Sequence, residues 1–268
     1  MLEKVNLKLA VSKAECLRRL PQLQNRLYDL EHAIYQAGIP VVIVFEGWAA
    51  AGKGSTIRVL AERMDPRGFR AVPITPPRTA ELQYPWMWRF WQKVPAYGQI
   101  IVYDTSWYRR VLIDRVAKNV RKQEWQAAFQ DIAEFEEQLA ADGTVILKFW
   151  LHISKKEQSR RFNKLLKDKL TAWQVSDEDA AQHRAYKKYL GAVEEMLART
   201  DAPYAPWTLV EATDRHFCRI KVLEGIARAL ETRLGDQPPP PARARIKGGV
   251  DSSAHSQKKE MADASERN

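Results

Sequence analysis

Cysteine is scarce: the 268 residues contain two, Cys16 and Cys218. Their separation excludes metal-ligand spacing and leaves two ordinary thiols suited to a reducing compartment. Long apolar runs are missing as well. None approaches the roughly 20 residues that cross a bilayer, and no signal-peptide pattern follows Met1, so the chain is expected to be cytoplasmic with no membrane partner. Acidic residues are outnumbered, 33 against 43 Lys+Arg, for a net charge of +10. Core material is plentiful: 45% hydrophobic and 10% aromatic residues exclude a wholly disordered chain.

The segment from Gly235 onward carries four consecutive prolines and almost no large apolar side chain. It cannot bury enough surface to offset its ordering entropy, so 235–268 is predicted to be a disordered tail. Six basic and five acidic residues lie in it, which leaves +9 of the +10 on the rest of the chain. That excess suits a polyanionic partner: nucleic acid, a phosphorylated metabolite or an inorganic polymer. A solvated basic surface explains the charge alone equally well.

Ser12 and Glu15 have capping-box spacing, and Leu17, Leu20, Leu23, Leu27, Leu30 and Ile34 follow at three- and four-residue steps until Gly38. They predict an N-terminal amphipathic helical segment over 1–39, with Pro21 a place for a bend. The leucine stripe suits a partner subunit as well as the domain's own core. Short apolar runs recur at 40–47, 69–74, 99–103, 144–150 and 207–210, separated by helical patterns at 54–64, 81–93, 106–118, 122–141, 154–168, 176–199 and 213–234. Strands alternating with helices predict an α/β domain over 40–234 with a parallel sheet of about five strands, and ligands beyond the carboxyl ends of those strands.

The strongest local signal is Gly47-Trp-Ala-Ala-Ala-Gly52-Lys53, which fits G-x-x-x-x-G-K between a strand and a helix. Glycines allow backbone N–H groups to turn inward on a phosphate, the helix N-terminus adds partial positive charge, and Lys53 neutralises more. A glycine-rich strand-to-helix turn with no ligand is the competing reading. Gly54 follows Lys53, with Ser55 one place later, so the usual Mg²⁺-holding hydroxyl is displaced. Asp104, which ends the run IIVYD as a Walker-B aspartate would, is the first candidate for the metal, although it could equally cap the next helix.

Arg109 and Arg110 follow that carboxylate. Adjacent residues on a helix diverge by roughly 100°, so at most one faces a phosphate track squarely. A second basic cluster, Lys155 to Lys164, includes Arg160, Arg161 and Lys164 on a helix that Ser154 can cap. Arginines so placed after a phosphate loop suggest the lid of a nucleotide kinase. His152 reads as structural. The aromatic stretch Trp86 to Trp91 reads as helix packing, with Arg89 available for a phosphate or base.

Residues 41–234 resemble the polyphosphate kinase 2 family through FEGWAAAGKGSTI, MDPRGFRAVPI, WMWRFWQKVPAYG, IIVYDTSWYRRVL, IAEFEEQLAADGTVILKFWLHISKKEQSRRF and YAPWTLVEATDR. The resemblance implies a three-layer α/β/α P-loop kinase fold with a helical lid at about 152–190. It also implies Mg²⁺-dependent phosphoryl transfer, with Mn²⁺ the substitute, between inorganic polyphosphate and a nucleoside mono- or diphosphate. Gly47, Ala50, Ala51, Gly52, Lys53, Gly54 and Ser55 would form the phosphate loop, Asp104 would hold metal, Arg110 would line the polyphosphate path, and Arg160 and Arg161 would belong to the lid. Three departures stand out. Ala49 occupies the place of the family's aspartate, Thr105 replaces an arginine, and Thr171-Ala172-Trp173-Gln174 replaces K-R-W-K.

DTSWYRRVL favours AMP as acceptor, with ADP the alternative. The expected function is therefore a polyphosphate-dependent nucleotide kinase weakened by Ala49, with a catalytically inactive polyphosphate- or nucleotide-binding protein the alternative, and in either case a homo-oligomer. Helix-turn-helix, zinc-finger and RNA-binding signatures are missing, so no nucleic-acid partner is expected.

Overall fold

The computed structural model describes residues 1–235. The expectation of a disordered tail falls outside the described residues except for Gly235, which closes a helix. The N-terminal helix α1 (Lys13–Ala37) starts where Ser12 Oγ accepts the Glu15 N–H, continues through Pro21, and stops at Gly38, whose φ of 65° is left-handed. Leu23, Leu27, Leu30 and Ile34 are buried, but Leu17 is 65% exposed. At about 100° per residue, Leu17 points roughly 100° away from the other four, so it does not belong to the stripe that the sequence suggests.

Five strands follow: β1 (Val41–Gly47), β2 (Phe69–Pro73), β3 (Ile100–Asp104), β4 (Val145–His152) and β5 (Trp207–Glu211). They form one parallel sheet in the order β2-β3-β1-β4-β5. Every residue of β1 is buried, as a central strand covered on both faces requires. Alternate β4 side chains serve opposite layers. Lys148 reaches α5 (Lys122–Ala141) and α8 (Tyr186–Thr200), while the Phe149 ring lies 3.4 Å from where a Cβ on Gly225 of α9 (Arg215–Gly235) would sit. Ion pairs Arg19–Glu224 and Arg26–Glu231 bind α1 to α9. This is the expected three-layer α/β/α arrangement.

Three expected helices are broken. The pattern at 81–93 yields only a 3₁₀ turn at Glu81–Gln83 and the single turn α3 (Trp88–Trp91), because Pro85 disfavours helical backbone before it. The pattern at 106–118 becomes a 3₁₀ turn at Trp107–Arg110 and α4 (Ile113–Val116), separated by non-helical Leu112. The pattern at 176–199 divides at Ala185 into α7 (Asp177–Arg184) and α8. The remaining helices, α2 (Lys53–Ala61) and α6 (Lys155–Lys167), start near the predicted residues. No helix among the described residues is long and apolar enough to cross a membrane.

Candidate active site

β1 is flanked by β3 and β4, so its carboxyl end opens where successive connections leave for opposite sides of the sheet, the usual ligand crevice of such sheets. Gly47 stands there with φ 149°, and a Cβ on it would fall 2.5 Å from Leu151 O. Only glycine allows β1 and β4 to approach so closely. Beyond it the loop turns its carbonyls into protein donors. Gln158 Nε2 donates to Ala49 O (3.2 Å), Arg161 Nη1 to Ala50 O (2.9 Å) and Ala51 O (2.8 Å), and Lys53 Nζ to Gly47 O (3.2 Å). Ser55 Oγ and Thr56 Oγ1 both donate to Gly52 O (2.9 Å each). The N–H groups of Ala50 and Gly52 have no acceptor among the described residues, and the first-turn N–H groups of α2 have no intrahelical one. The concave side is therefore a row of donors at a positive helix end.

Asp104 ends β3 opposite this loop, and its Oδ2 lies 3.5 Å from the place of a Cβ on Gly54. Its carboxylate accepts no hydrogen bond from the described residues. The Thr105 backbone has φ 63° and Ala50 has φ 59°, conformations costly for residues with a Cβ. Thr105 and Ala49, the residue before Ala50, line a small pocket of about 90 Å³ together with Gly47, Lys53 and Arg109. Glu46 sits behind it, 3% exposed, with Oε1 accepting the N–H and Oγ–H of Ser106 (2.8 Å each). Burial pushes its carboxyl up to about 7, against the opposing attraction of Lys53.

A pH experiment follows from that shift. Between about 4.5 and 7 the unfolded chain has released the Glu46 proton while the native protein keeps it, so this group's contribution to stability falls as pH rises. Glu46→Gln keeps an acceptor for Ser106 without the charge. Relative to wild type, the variant is expected to gain stability between pH 5 and pH 8, by at most about 3 kcal/mol. Urea denaturation at both pH values reads the difference, and a flat difference contradicts it.

Arg109 and Arg110 divide as their divergence predicts. Arg109 lines the Lys53 pocket, ion-paired with Asp114 (3.2 Å) and donating to Glu178 (3.0 Å). Arg110 lies over Trp86 (5.6 Å to the ring centre) and near Glu124 (3.9 Å). A second pocket of about 280 Å³ adjoins the first, lined by Tyr84, Trp86, Arg89, Phe90, Arg109 and Arg110. Arg89 pairs with Glu81 (3.4 Å), and the buried Nε atoms of Arg89 and Arg110 have no partner among the described residues.

The sequence profile of the polyphosphate kinase 2 family matches residues 10–238. The chain belongs to the polyphosphate kinase 2 family. It is 38% identical over 231 residues to a polyphosphate:AMP phosphotransferase of Pseudomonas syringae pv. tomato, covering 86% of this chain and 46% of that protein. It is 34% identical over 229 residues to an ADP-polyphosphate phosphotransferase of Pseudomonas aeruginosa, covering 85% and 75% respectively. The crystal structure of polyphosphate kinase 2 from Arthrobacter aurescens TC1 superposes with a TM-score of 0.83 at 27% identity, covering 98% of this chain and 93% of that one. The chain spans about half the length of the AMP-phosphotransferase relative.

Several site residues of this family member depart from the lid expectation. Arg161 is 3% exposed, and its guanidinium is consumed by Glu157 and by the carbonyls of Ala50, Ala51, Ala212 and Thr213. It shapes the phosphate loop from outside and has no hydrogen-bonding capacity left for substrate. Arg160 pairs with Glu157 (2.7 Å) on the outer side of α6, and Lys164 is exposed on the same helix. Ser55 spends its hydroxyl on the loop's own carbonyl.

His152 is structural, as read: Trp48 Nε1 donates to its Nδ1 (3.0 Å), and burial lowers it to about 4. Cys16 and Cys218 are buried free thiols.

Sequence reasoning missed the side chains that α7 brings over the loop. Glu178 reaches Arg109, and Gln182 Oε1 accepts the Ala49 N–H (2.8 Å). No local motif announces them; only the fold brings residues 49 and 182 together. A metal ion fits this donor set in one way. No three His, Cys, Asp or Glu side chains among the described residues form a metal cage, but Mg²⁺ commonly binds through one or two carboxylates and keeps phosphate and water ligands. Asp104, unengaged beside the donor row, meets that need.

Proposed function

We propose that this chain transfers a phosphoryl group between inorganic polyphosphate and AMP, with ADP the alternative acceptor, in the presence of Mg²⁺ or Mn²⁺. The observation that carries the reading is the position of Arg109, which lines both the small pocket of Lys53 and the larger aromatic pocket of Trp86. The first suits phosphate groups and the second a nucleoside, so their junction is where an in-line transfer has to occur. The names of the relatives above support both acceptors.

Asp104 would hold the metal, which when bound neutralises phosphate charge. Lys53 and the N–H groups of Ala50 and Gly52 would orient the polymer, and Arg109 would bridge to the acceptor. The +9 body would steer a polyanion toward the crevice. Buried reduced thiols and nucleotide substrates suit the cytoplasm.

Incubating AMP with polyphosphate and Mg²⁺ and following ADP tests the reading directly. Ala49→Asp restores a carboxylate in the Lys53 pocket and is expected to raise kcat roughly 10–100-fold, the scale of one added transition-state contact. If neither protein makes ADP or, from ADP, ATP, while both bind polyphosphate, the chain is a binding protein instead.

A further inference from the structure

Two glutamines grip the phosphate loop at the residue where the family's aspartate is replaced. Gln158 of α6 is fully buried and Gln182 of α7 is 8% exposed. Their amide orientations are dictated by chemistry. The Ala49 N–H can only donate, so the atom 2.8 Å away is Gln182 Oε1. The Ala49 carbonyl can only accept, so the atom 3.2 Å away is Gln158 Nε2, which also donates to Gln182 Oε1 (3.1 Å). Gln158 Oε1 then faces His183 Nδ1 at 2.7 Å, which requires that nitrogen to carry the proton. The network has one consistent direction.

The consequence for the cradle lies in the peptide plane. In a trans peptide the carbonyl of one residue and the N–H of the next point in opposite directions. By drawing Ala49 O outward, Gln158 directs the Ala50 N–H inward, and with Arg161 on the Ala50 and Ala51 carbonyls it holds Ala50 at its left-handed φ of 59°. Gln182 holds Gln158 from the other helix and saturates the Ala49 N–H, so the loop's shape depends on where α7 sits. Glu178, one turn earlier on α7, ties the same helix to Arg109.

We propose that Gln158 and Gln182 are positioning residues that aim the Ala50 N–H at the polyphosphate and make that aim conditional on α7 lying over the loop. The proposal rests on the polyphosphate-transfer reading for the identity of the ligand, but its geometry stands apart from turnover.

Gln182→Met removes the acceptor at nearly constant volume, whereas Gln182→Glu keeps it. In wild type without substrate the Ala49 amide is expected to exchange slowly by NMR. In Gln182→Met it is expected to exchange about tenfold faster, the scale of one buried hydrogen bond, and in Gln182→Glu it stays protected. With substrates, Gln182→Met is expected to raise KM for polyphosphate about tenfold while KM for AMP holds, with Tm lowered by a few degrees. Unchanged Ala49 exchange in Gln182→Met overturns the proposal, as does a parallel rise in both KM values. A wild type without turnover would defeat the transfer reading alone, and the exchange measurement would still decide the role of Gln158 and Gln182.

Discussion

Lys53→Met is expected to lower kcat/KM for polyphosphate-dependent phosphorylation of AMP by roughly a thousandfold, with Tm changed by no more than about 2 °C. Phosphoryl transfer asks the protein mainly for positioning and charge neutralisation, and Lys53 is the cation whose Nζ sits inside the turn, 3.2 Å from Gly47 O. The small cost in stability follows from its surroundings: its hydrogen bond is to a loop carbonyl at the pocket, and it belongs to none of the observed ion pairs. Arg109 does not replace it, because Asp114 and Glu178 fix that guanidinium at the junction of the two pockets and not inside the turn. The measurement is steady-state kinetics beside a thermal melt. Retention of a tenth or more of the activity by the folded variant would remove Lys53 from the mechanism.

The largest stability effect is expected at a side chain that lines neither pocket. Lys148, in the middle of β4, is fully buried, and its ammonium donates to Glu136 Oε2 (2.7 Å), Thr200 O (2.7 Å) and Tyr108 Oη (2.9 Å). Glu136 also accepts Trp107 Nε1 (2.9 Å) and Tyr108 Oη (2.7 Å). Burial draws the lysine down and the glutamate up, each toward its neutral form, and their mutual attraction opposes both. Removing one partner leaves a charge stranded in the core, so Lys148→Met is expected to cost about 3–5 kcal/mol. Adding Glu136→Gln removes that charge but keeps an acceptor for Trp107 and Tyr108, and the double variant is expected to regain most of the loss. Urea titrations of the three proteins read this coupling; equal losses in the single and double variants would refute it. Because Tyr108 adjoins Arg109, the single variant should also loosen the arginine that bridges the two pockets.

How legible was this protein before folding? The parallel sheet was readable because buried strands must be continuously apolar, and β1 is. The phosphate loop was readable because its glycines and lysine are consecutive. Helical periodicity was less dependable. Between 81 and 118 the aromatic and basic residues suggested two helices, yet Pro85 and Leu112 interrupt them, and the resulting turns place Arg89, Arg109 and Arg110 around one aromatic pocket. Lys148 carries no local signal inside its apolar run, although a lone lysine in a doubly covered strand demands a buried partner.

Local sequence thus determined the strands, the capped helices and the place of the glycine-lysine loop between β1 and α2, since each depends on neighbours within a few residues. Tertiary structure decided which cations stay available. Arg161 turned inward to hold the loop's carbonyls, Arg109 became paired, and Gln158 and Gln182 met at Ala49. Those outcomes depend on contacts across 24 to 133 positions of chain, where only the packing of helices on the sheet determines which donor finds which acceptor.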